Sequence, residues 1–460
     1  MENILKRKDI VIFTIEDIEF GGKAYGYADG IKVNVKHGIP GQKVKVYIKK
    51  IKNDQAEGDI QEVLENSPLE TEDTCIHFGQ CGGCLNQTIA YDKQLELKER
   101  QIKKLLDDSN IQGYQWLGIE GSPSIYDYRN KMEFSFGDEQ KDGPLTLGMH
   151  KKGRYYDIIT VDSCLIMDED FRKILVRVLD FFKSRDTKYY HTGRHEGYLR
   201  HLVVRKAHFT GEILINLVTT SQASMDLKEL VDEILKLDFK GKVVGILNTI
   251  NDSLADVVQA DAINVLYGRD YIVEELLGLE FKISAFSFFQ TNSQGAEKLY
   301  SIVRDFVGDA ENQVVFDLYC GTGTIGQIVA ANAKKVIGIE LIEEAVEAAK
   351  ENAKINKLDN CTFIAGDVKE EVKKLEEKPD IIIIDPPRVG IHPKALKDII
   401  SFNANKLIYV SCNPKTLVRD LEVLQEEGYR VEKVKGMDMF PHTNHVESII
   451  LMTYCGSKEK

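Results

Sequence analysis

The sequence predicts three domains: a small N-terminal β-barrel, an α+β middle domain and a C-terminal α/β domain with a doubly wound parallel sheet. A chain of 460 residues has the length of about three domains. Its pattern changes twice, from short strands with glycine-rich turns, through mixed strands and helices, to a regular alternation of strand and helix. We therefore expect domains over residues 1–68, 69–285 and 286–460.

The composition is that of a globular protein without a membrane or secretion signal. Hydrophobic residues make up 43% of the chain, and no stretch approaches the ~18 apolar residues of a membrane span. The N-terminal sequence MENILKRKDIVIFTIED holds no apolar run long enough for a signal peptide. We expect a soluble, cytoplasmic and monomeric protein that binds neither membranes nor DNA. In the reducing cytoplasm, we expect its eight cysteines to be metal ligands, catalytic groups or core residues rather than disulfides.

Residues 1–68 hold short β-type runs (IVIFTI, KVNVK, KVKVYIKKI and GDIQEVL) that are separated by glycine-rich turns. This regular spacing predicts a small closed barrel. The net charge of −13 argues against binding nucleic acid through bulk charge but leaves room for a local basic surface. A lysine cluster around Tyr47 fits an RNA-binding face and, equally well, a solvated edge strand. The lysines are Lys43, Lys45, Lys49, Lys50 and Lys52.

The middle region carries a cysteine cluster near its start. Cys75, Cys81 and Cys84 form a C-x5-C-x2-C motif among glycines, and Cys164 is the fourth cysteine before residue 300. Four thiolates suit either a tetrahedral zinc ion or an iron–sulfur cluster. The arrangement lacks the two paired knuckles of usual zinc sites and favours iron–sulfur. Helical patterns at 91–107, 168–184 and 224–237 between β-type runs predict the α+β fold.

The C-terminal region carries a glycine turn and a row of acids. VVFDLYCGTGTIG is a strand followed by a turn and a helix, and Gly321 and Gly323 allow close approach of a ligand. Glu340 ends the second strand, where an acidic residue can bind ribose hydroxyls. These features predict a ligand site at the carboxyl edge of the sheet. The strand-end acids are Asp317, Glu340, Asp367 and Asp385.

The run LIYVSCNP places Cys412 at the carboxyl end of the next strand, because Pro414 cannot continue a strand ladder. A lone cysteine at such a place is more often a buried hydrophobic residue than a catalytic group. The glycine turn and the strand-end acids upstream favour the catalytic interpretation.

The motifs FDLYCGTGTIG, GIE, DPPR, YVSCNP and HTNHVE, with FSFFQTN before them, resemble those of RNA uracil-C5 methyltransferases that use S-adenosylmethionine (SAM). The N-terminal sequence from GGKAYGYADG to VNVKHGIPGQKVKV resembles the TRAM domain, a small RNA-binding barrel of the OB type. With its cysteine motif, the chain most resembles the iron–sulfur branch that acts on 23S ribosomal RNA. The resemblance implies a Rossmann-like methyltransferase domain, SAM and a [4Fe-4S] cluster as cofactors, and ribosomal RNA as substrate, with transfer RNA as the alternative.

The same resemblance implies roles for individual residues. Cys412 would be the nucleophile and Glu447 the general base. The residues that line the SAM or uracil site would be Gln290, Tyr319, Thr324, Glu340, Asp367 and Asp385. The ligands of the [4Fe-4S] cluster would be Cys75, Cys81, Cys84 and Cys164.

The chemistry of uracil agrees with these roles. C5 is too weak a nucleophile by itself, but a thiolate that adds at C6 raises the electron density on C5, and a base can then remove the C5 proton. The thiolate needs a lowered pKa, for which Arg388 is the candidate source. Two other classes are a radical SAM enzyme, which the absence of C-x3-C-x2-C disfavours, and a non-catalytic RNA-binding protein stapled by zinc.

Overall fold

A computed structural model describes residues 5–72, 74–255 and 258–456. The outer ends of the first and last predicted domains, residues 1–4 and 457–460, lie outside the described residues. Within the described ranges, no helix is long and apolar enough to cross a membrane.

The N-terminal strands form one six-stranded sheet: β1 (Ile10–Thr14), β2 (Asp17–Glu19), β3 (Lys23–Ala28), β4 (Ile31–Lys36), β5 (Lys43–Lys52) and β6 (Gln55–Glu65). The strand order is β1-β5-β6-β4-β3-β2. Alternation along β5 buries Val44, Val46 and Ile48, as expected for a sheet with one solvated face. The two end strands of this order, β1 and β2, are separated by only two residues, and the N–H of Glu16 between them donates to the carbonyl of Tyr25 in β3 at 2.8 Å. The sheet therefore curves into a β half-barrel, and its complete closure stays a prediction.

Helix α1 (Tyr91–Asp108) and strand β7 (Gln115–Glu120) follow the N-terminal sheet. The helix agrees with the predicted helical pattern at 91–107. It also contacts the N-terminal sheet at β2, where Arg100 forms an ion pair with Asp17 at 2.6 Å and Gln101 donates to the carbonyl of Ile18 at 2.8 Å.

A seven-stranded sheet forms the middle of the protein, in the order β10-β9-β8-β11-β12-β13-β14. Its strands are β8 (Lys131–Asp138), β9 (Leu145–Lys151), β10 (Arg154–Thr160), β11 (Leu199–Lys206), β12 (Glu212–Thr219), β13 (Lys242–Ile250) and β14 (Ala262–Gly268). Both β11 and β12 are buried along almost their whole length. Helices α2 (Glu169–Lys183) and α3 (Lys228–Leu235) share their core and confirm the two later helical patterns.

An eight-stranded sheet carries the C-terminal region, after a hairpin of β15 (Tyr271–Leu276) and β16 (Leu279–Ser284). The hairpin is a separate two-stranded sheet. Besides β7, the strands of the eight-stranded sheet are β17 (Ala310–Leu318), β18 (Ala333–Glu340), β19 (Cys361–Ala365), β20 (Ile381–Ile384), β21 (Lys406–Ser411), β22 (Tyr429–Met437) and β23 (Glu447–Tyr454). The helices are α4 (Ser293–Val307), α5 (Thr324–Ala330), α6 (Glu343–Ile355), α7 (Val368–Glu371), α8 (Pro393–Ile400) and α9 (Pro414–Glu426), with a 3₁₀ turn at Val372–Lys374.

The order of this sheet is β19-β18-β17-β20-β21-β23-β22-β7. The first five strands run parallel, and β23 pairs with β21 in the antiparallel sense. The four isoleucines of β20 are all buried, as expected for a central strand covered on both faces. The carboxyl ends of the five parallel strands therefore meet at one edge, as the alternating pattern predicts.

One strand of this sheet comes from the predicted middle region. Strand β7 pairs in parallel with β22, with Trp116 opposite Val434. Residues inside the predicted range 69–285 thus contribute to the same sheet as the C-terminal strands. The domain boundary at residues 285 and 286 stays a prediction.

Candidate active site

The turn after β17 forms one wall of the candidate site. Its backbone is left-handed at Tyr319, Gly321 and Gly323, with φ of 64°, 54° and 72°. A Cβ on Gly323 would meet the Phe363 ring at 2.6 Å, whereas one on Gly321 would meet Phe288 at 3.9 Å as its nearest atom. Gly323 is therefore needed for packing, and Gly321 leaves its backbone open to a ligand.

The strand order brings three predicted acids to the same edge. Glu340 ends β18, Asp385 directly follows β20, and Asp367 lies two residues beyond the end of β19. The Glu340 carboxylate accepts a hydrogen bond from the N–H of Gly321 at 3.0 Å, which fixes it beside the turn. Asp367 accepts from the N–H of Lys369 at 3.0 Å and so caps α7.

At this edge the Asp317 side chain is fully buried and that of Asp385 is partly buried. Burial raises the pKa of each carboxyl to about 7. Asp317 accepts from the N–H of Gly326 at 2.8 Å, so it supports the glycine turn from within the core. Tyr300 is buried beside them, and its pKa is raised by burial and then by Asp385, Asp317 and Glu447. The sequence did not indicate Tyr300, because it lies mid-helix at an ordinary core position.

Cys412 and Glu447 face each other at the end of an antiparallel strand pair. Ser411 of β21 pairs with Ser448 of β23, so the next residues along are directly opposed. Burial, with Asp385 as the second cause, raises the pKa of Glu447 to about 8. Burial raises the pKa of the Cys412 thiol to about 11, and both carboxylates add to the rise.

Arg388 lies in the loop after β20, and residues at the start of α9 hold its backbone beside Cys412. Its carbonyl oxygen accepts from Asn413 Nδ2 at 2.9 Å and from Thr416 Oγ1 at 3.3 Å. Its charge lowers the pKa of Cys412, as the sequence predicts, but burial and the carboxylates outweigh it. The expectation of a lowered thiol pKa is therefore wrong for the protein alone, in which the thiol is protonated at neutral pH.

Gln290 and Thr324 lie on segments that meet at the glycine turn. The Gln290 carbonyl accepts from Asn130 Nδ2 at 2.8 Å, just before α4. Phe288, two residues earlier, reaches Gly321. Thr324 is the first residue of α5, where it is buried.

The four predicted metal-ligating cysteines line a single cavity of about 340 Å³. The N–H of Gly83 donates to Cys81 Sγ at 3.3 Å, and Gln87 Nε2 donates to Cys84 Sγ at 3.5 Å. Across residues 5–72, 74–255 and 258–456, no group of three or more His, Cys, Asp or Glu is arranged to hold a metal ion. The four cysteines are Cys75, Cys81, Cys84 and Cys164.

Comparison with known proteins identifies the family. Residues 90–454 match the family described as tRNA (Uracil-5-)-methyltransferase, which covers more than half of the chain. The chain belongs to the RNA (uracil-5-)-methyltransferase family. It is a SAM-dependent enzyme that methylates C5 of uracil in RNA.

Relatives match this methyltransferase over almost their whole length. An uncharacterized RNA methyltransferase of Clostridium tetani is 60% identical, over 95% of this chain and 96% of its own. Another, of Clostridium acetobutylicum, is 54% identical over 98% of both chains. Among solved structures, the tRNA (uracil-54, C5)-methyltransferase of Pyrococcus abyssi in complex with S-adenosyl-L-homocysteine has a TM-score of 0.78 and 28% identity, covering 96% of this chain and 100% of that one.

The methyltransferase also contains a segment whose contacts the sequence did not indicate. Residues 438–446, called the base loop below, join β22 to Glu447. Lys98 of α1 forms a buried ion pair with Asp438 at 2.7 Å, and a Cβ on Gly22 would meet Asn444 at 2.1 Å. The motif HTNHVE marks part of this loop, but its partners lie hundreds of residues earlier in the chain, so no local pattern could identify them.

Proposed function

We propose that Cys412 is the nucleophile and Glu447 the general base of uracil methylation. The observation that carries this proposal is their opposed position at the ends of β21 and β23, beside Asp385. Directly opposed residues of antiparallel strands have Cβ atoms about 4.5–5.5 Å apart. This spacing suits two groups that act on the neighbouring atoms C6 and C5 of one uracil ring.

The order of steps follows from the weak nucleophilicity of C5. Cys412 loses its proton to solvent and its sulfur bonds to C6, which moves the electron pair of the C5–C6 double bond towards C5. Bound SAM supplies the methyl group that C5 acquires. Glu447 then removes the C5 proton, the double bond re-forms, and the C6–S bond breaks to release the thiolate. The target uridine has to be unpaired or flipped out of its stack to be reached.

We further propose that the sheet edge binds SAM or uracil. The open backbone at Gly321 and the adjacent carboxylate of Glu340 suit a ligand with a ribose. A cationic cofactor bound beside Asp385 and Glu447 would favour their ionised forms, whose pKa values are raised in its absence. The proposed set is Gln290, Tyr319, Thr324, Glu340, Asp367 and Asp385.

For the four cysteines we propose a [4Fe-4S] cluster with a structural role. Such a cluster binds its thiolates through different irons, so its ligands lie further apart than around a single zinc ion. This arrangement suits a cavity lined by four thiols that, in the described part of the chain, do not form a single-ion site. The donors from Gly83 and Gln87 would stabilise the ligated sulfurs.

The mechanism is tested with RNA that contains 5-fluorouridine. Because fluorine cannot leave as a proton, the C6–S bond should persist, and the protein with SAM should form a stable covalent adduct. Cys412→Ser should form none. Cys455→Ser, which changes an exposed cysteine, should react like the wild type. An adduct with Cys412→Ser would contradict the proposal.

We propose ribosomal RNA as the substrate, since the TRAM-like and cysteine modules together resemble the ribosomal RNA branch. Transfer RNA is the second candidate, because the Pyrococcus abyssi tRNA (uracil-54, C5)-methyltransferase is similar over nearly both whole chains. Mapping 5-methyluridine in cells that lack this protein distinguishes the two. Loss from ribosomal RNA supports the first candidate, and loss confined to transfer RNA contradicts it.

A further inference from the structure

The base loop leads directly into Glu447 without regular structure of its own between β22 and β23. Its position is therefore set by contacts with other parts of the chain. The first half is held by α1: Lys98 pairs with Asp438 at 2.7 Å, and the side-chain oxygen of Gln94 accepts from the N–H of His442 at 2.9 Å. These contacts leave the last residues before Glu447 to be held from elsewhere.

Residues 75–86, called the cysteine segment below, supply contacts to His442 and to the two residues after it. The N–H groups of Leu85 and Asn86 both donate to the carbonyl of His442, at 2.8 and 3.0 Å. The side-chain amide of Asn86 donates to the Thr443 carbonyl at 3.3 Å and to Asn444 Oδ1 at 2.9 Å. One side chain thus joins two successive residues of the base loop.

Asn86 also lies at the edge of the cavity that the four cysteines line. It lies two residues after Cys84, and Thr443, whose carbonyl it binds, lines the cysteine cavity. The distance along the chain from Asn444 to Glu447 is three residues. The cysteine segment and the proposed general base are therefore connected by two backbone hydrogen bonds to His442, the two side-chain hydrogen bonds of Asn86 and one short, irregular stretch of backbone.

We propose that Asn86 is a positioning residue for Glu447, through which the cysteine segment holds the base loop in place for removal of the C5 proton. This inference rests on the proposed roles of Cys412 and Glu447. A general base has to lie within hydrogen-bond reach of its proton, and a displacement of about 1 Å can cost about 100-fold in rate. Addition of Cys412 to C6 comes earlier and does not use Glu447, so the two steps should respond differently.

The test compares both steps in Asn86→Ala. With ordinary uridine RNA and SAM, release of methylated RNA should slow by about 10- to 100-fold, and a covalent Cys412–RNA species should accumulate. With 5-fluorouridine RNA, adduct formation should keep its wild-type rate, because proton removal plays no part in it. Gln80→Ala, on the same segment with an exposed side chain, should behave as wild type in both assays.

Asn444→Ala examines the other end of the same hydrogen bond and keeps the test available if Asn86→Ala does not fold. It should show the same selective slowing, and the double variant should be no slower than the slower single variant. Normal release of product by both single variants would overturn the inference. So would an equal slowing of 5-fluorouridine adduct formation, which would place Asn86 in RNA binding or in the attack by Cys412.

The wild-type reaction separates this inference from the function on which it rests. If wild-type protein formed no adduct with 5-fluorouridine RNA, the proposed roles of Cys412 and Glu447 would fail and the inference would fail with them. If the wild type formed the adduct and the Asn86 variant turned over normally, the inference alone would fail.

Discussion

The enzyme contains two kinds of buried thiol, and their neighbours differ. Burial is the largest cause that raises the thiol pKa in both, to about 12 for Cys84 and to about 11 for Cys412. The next-largest causes of the raised pKa of Cys84 are the charges of the other three cysteines of the cavity. For Cys412 they are the carboxylates of Glu447 and Asp385, opposed by Arg388.

Burial alone therefore does not assign a role to a cysteine. Four thiols that face one another cannot all ionise unless a cation joins them, which is the property of a metal site. A single thiol among two carboxylates and an arginine has groups nearby that can exchange protons with a substrate. It also precedes α9, whose N-terminus favours a thiolate.

Cys84→Ala should give the largest change, because it removes one of four proposed ligands. Iron and sulfide in anaerobically purified protein should fall to background, and the melting temperature should fall with them. The alkylation rate of Cys412, followed by peptide mass spectrometry, should stay near the wild-type value. Cys361→Ala, on β19, is the matched control and should retain its iron. Full iron content in Cys84→Ala would remove the proposed contrast between the two kinds of thiol.

Glu447→Gln keeps the shape of the side chain but removes the base. Turnover on uridine RNA should fall by about 10²- to 10⁴-fold, the usual contribution of general base catalysis. The Cys412 adduct should accumulate on ordinary RNA and be visible as a retarded band on a denaturing gel. Glu422→Gln, which changes an exposed carboxylate on α9, should turn over normally. Equal turnover by Glu447→Gln would mean that another group removes the proton.

The pH dependence of product release should follow the raised pKa of Glu447. A base works in its ionised form, and with a pKa of about 8 only about one tenth of Glu447 is ionised at pH 7. The rate should therefore fall about tenfold for each pH unit below 8 and level off above it. Single-turnover release of methylated RNA measures this, with 5-fluorouridine adduct formation followed at each pH to separate the ionisation of Cys412. A flat profile from about pH 6 to about pH 9 would contradict the assignment.

Arg388→Met should have the smallest effect of the four. It removes the charge that opposes the carboxylates, so the pKa of Cys412 should rise further and alkylation of the free enzyme should slow by a few-fold to about tenfold. The hydrogen bonds to the Arg388 carbonyl remain, because they use the backbone. Lys415→Met, on the same helix start, controls for loss of a nearby cation. An unchanged alkylation rate in Arg388→Met would show that Arg388 does not act on this thiol.

Several features of the fold and the site could be predicted because their causes are local. The alternation of strands and helices predicts a parallel sheet, and parallel strands end at one edge, so Glu340, Asp385 and Cys412 could be grouped in advance. Complete closure of the N-terminal barrel stays a prediction, since it depends on how the segment of β1 and β2 bends, and strand patterns do not show that bend. Strand β7 could not be assigned to the C-terminal sheet, because its partner β22 lies over 300 residues later.

The kinds of group at the sheet edge, their order along it and the presence of four cysteines in two segments follow from the sequence alone. The protonation of Cys412 follows from the tertiary structure, because its pKa depends on burial and on carboxylates from two other strands. The contact of Asn86 with the base loop also follows from the tertiary structure. Such effects depend on distances between residues far apart in the chain, and sequence spacing carries no information about those distances.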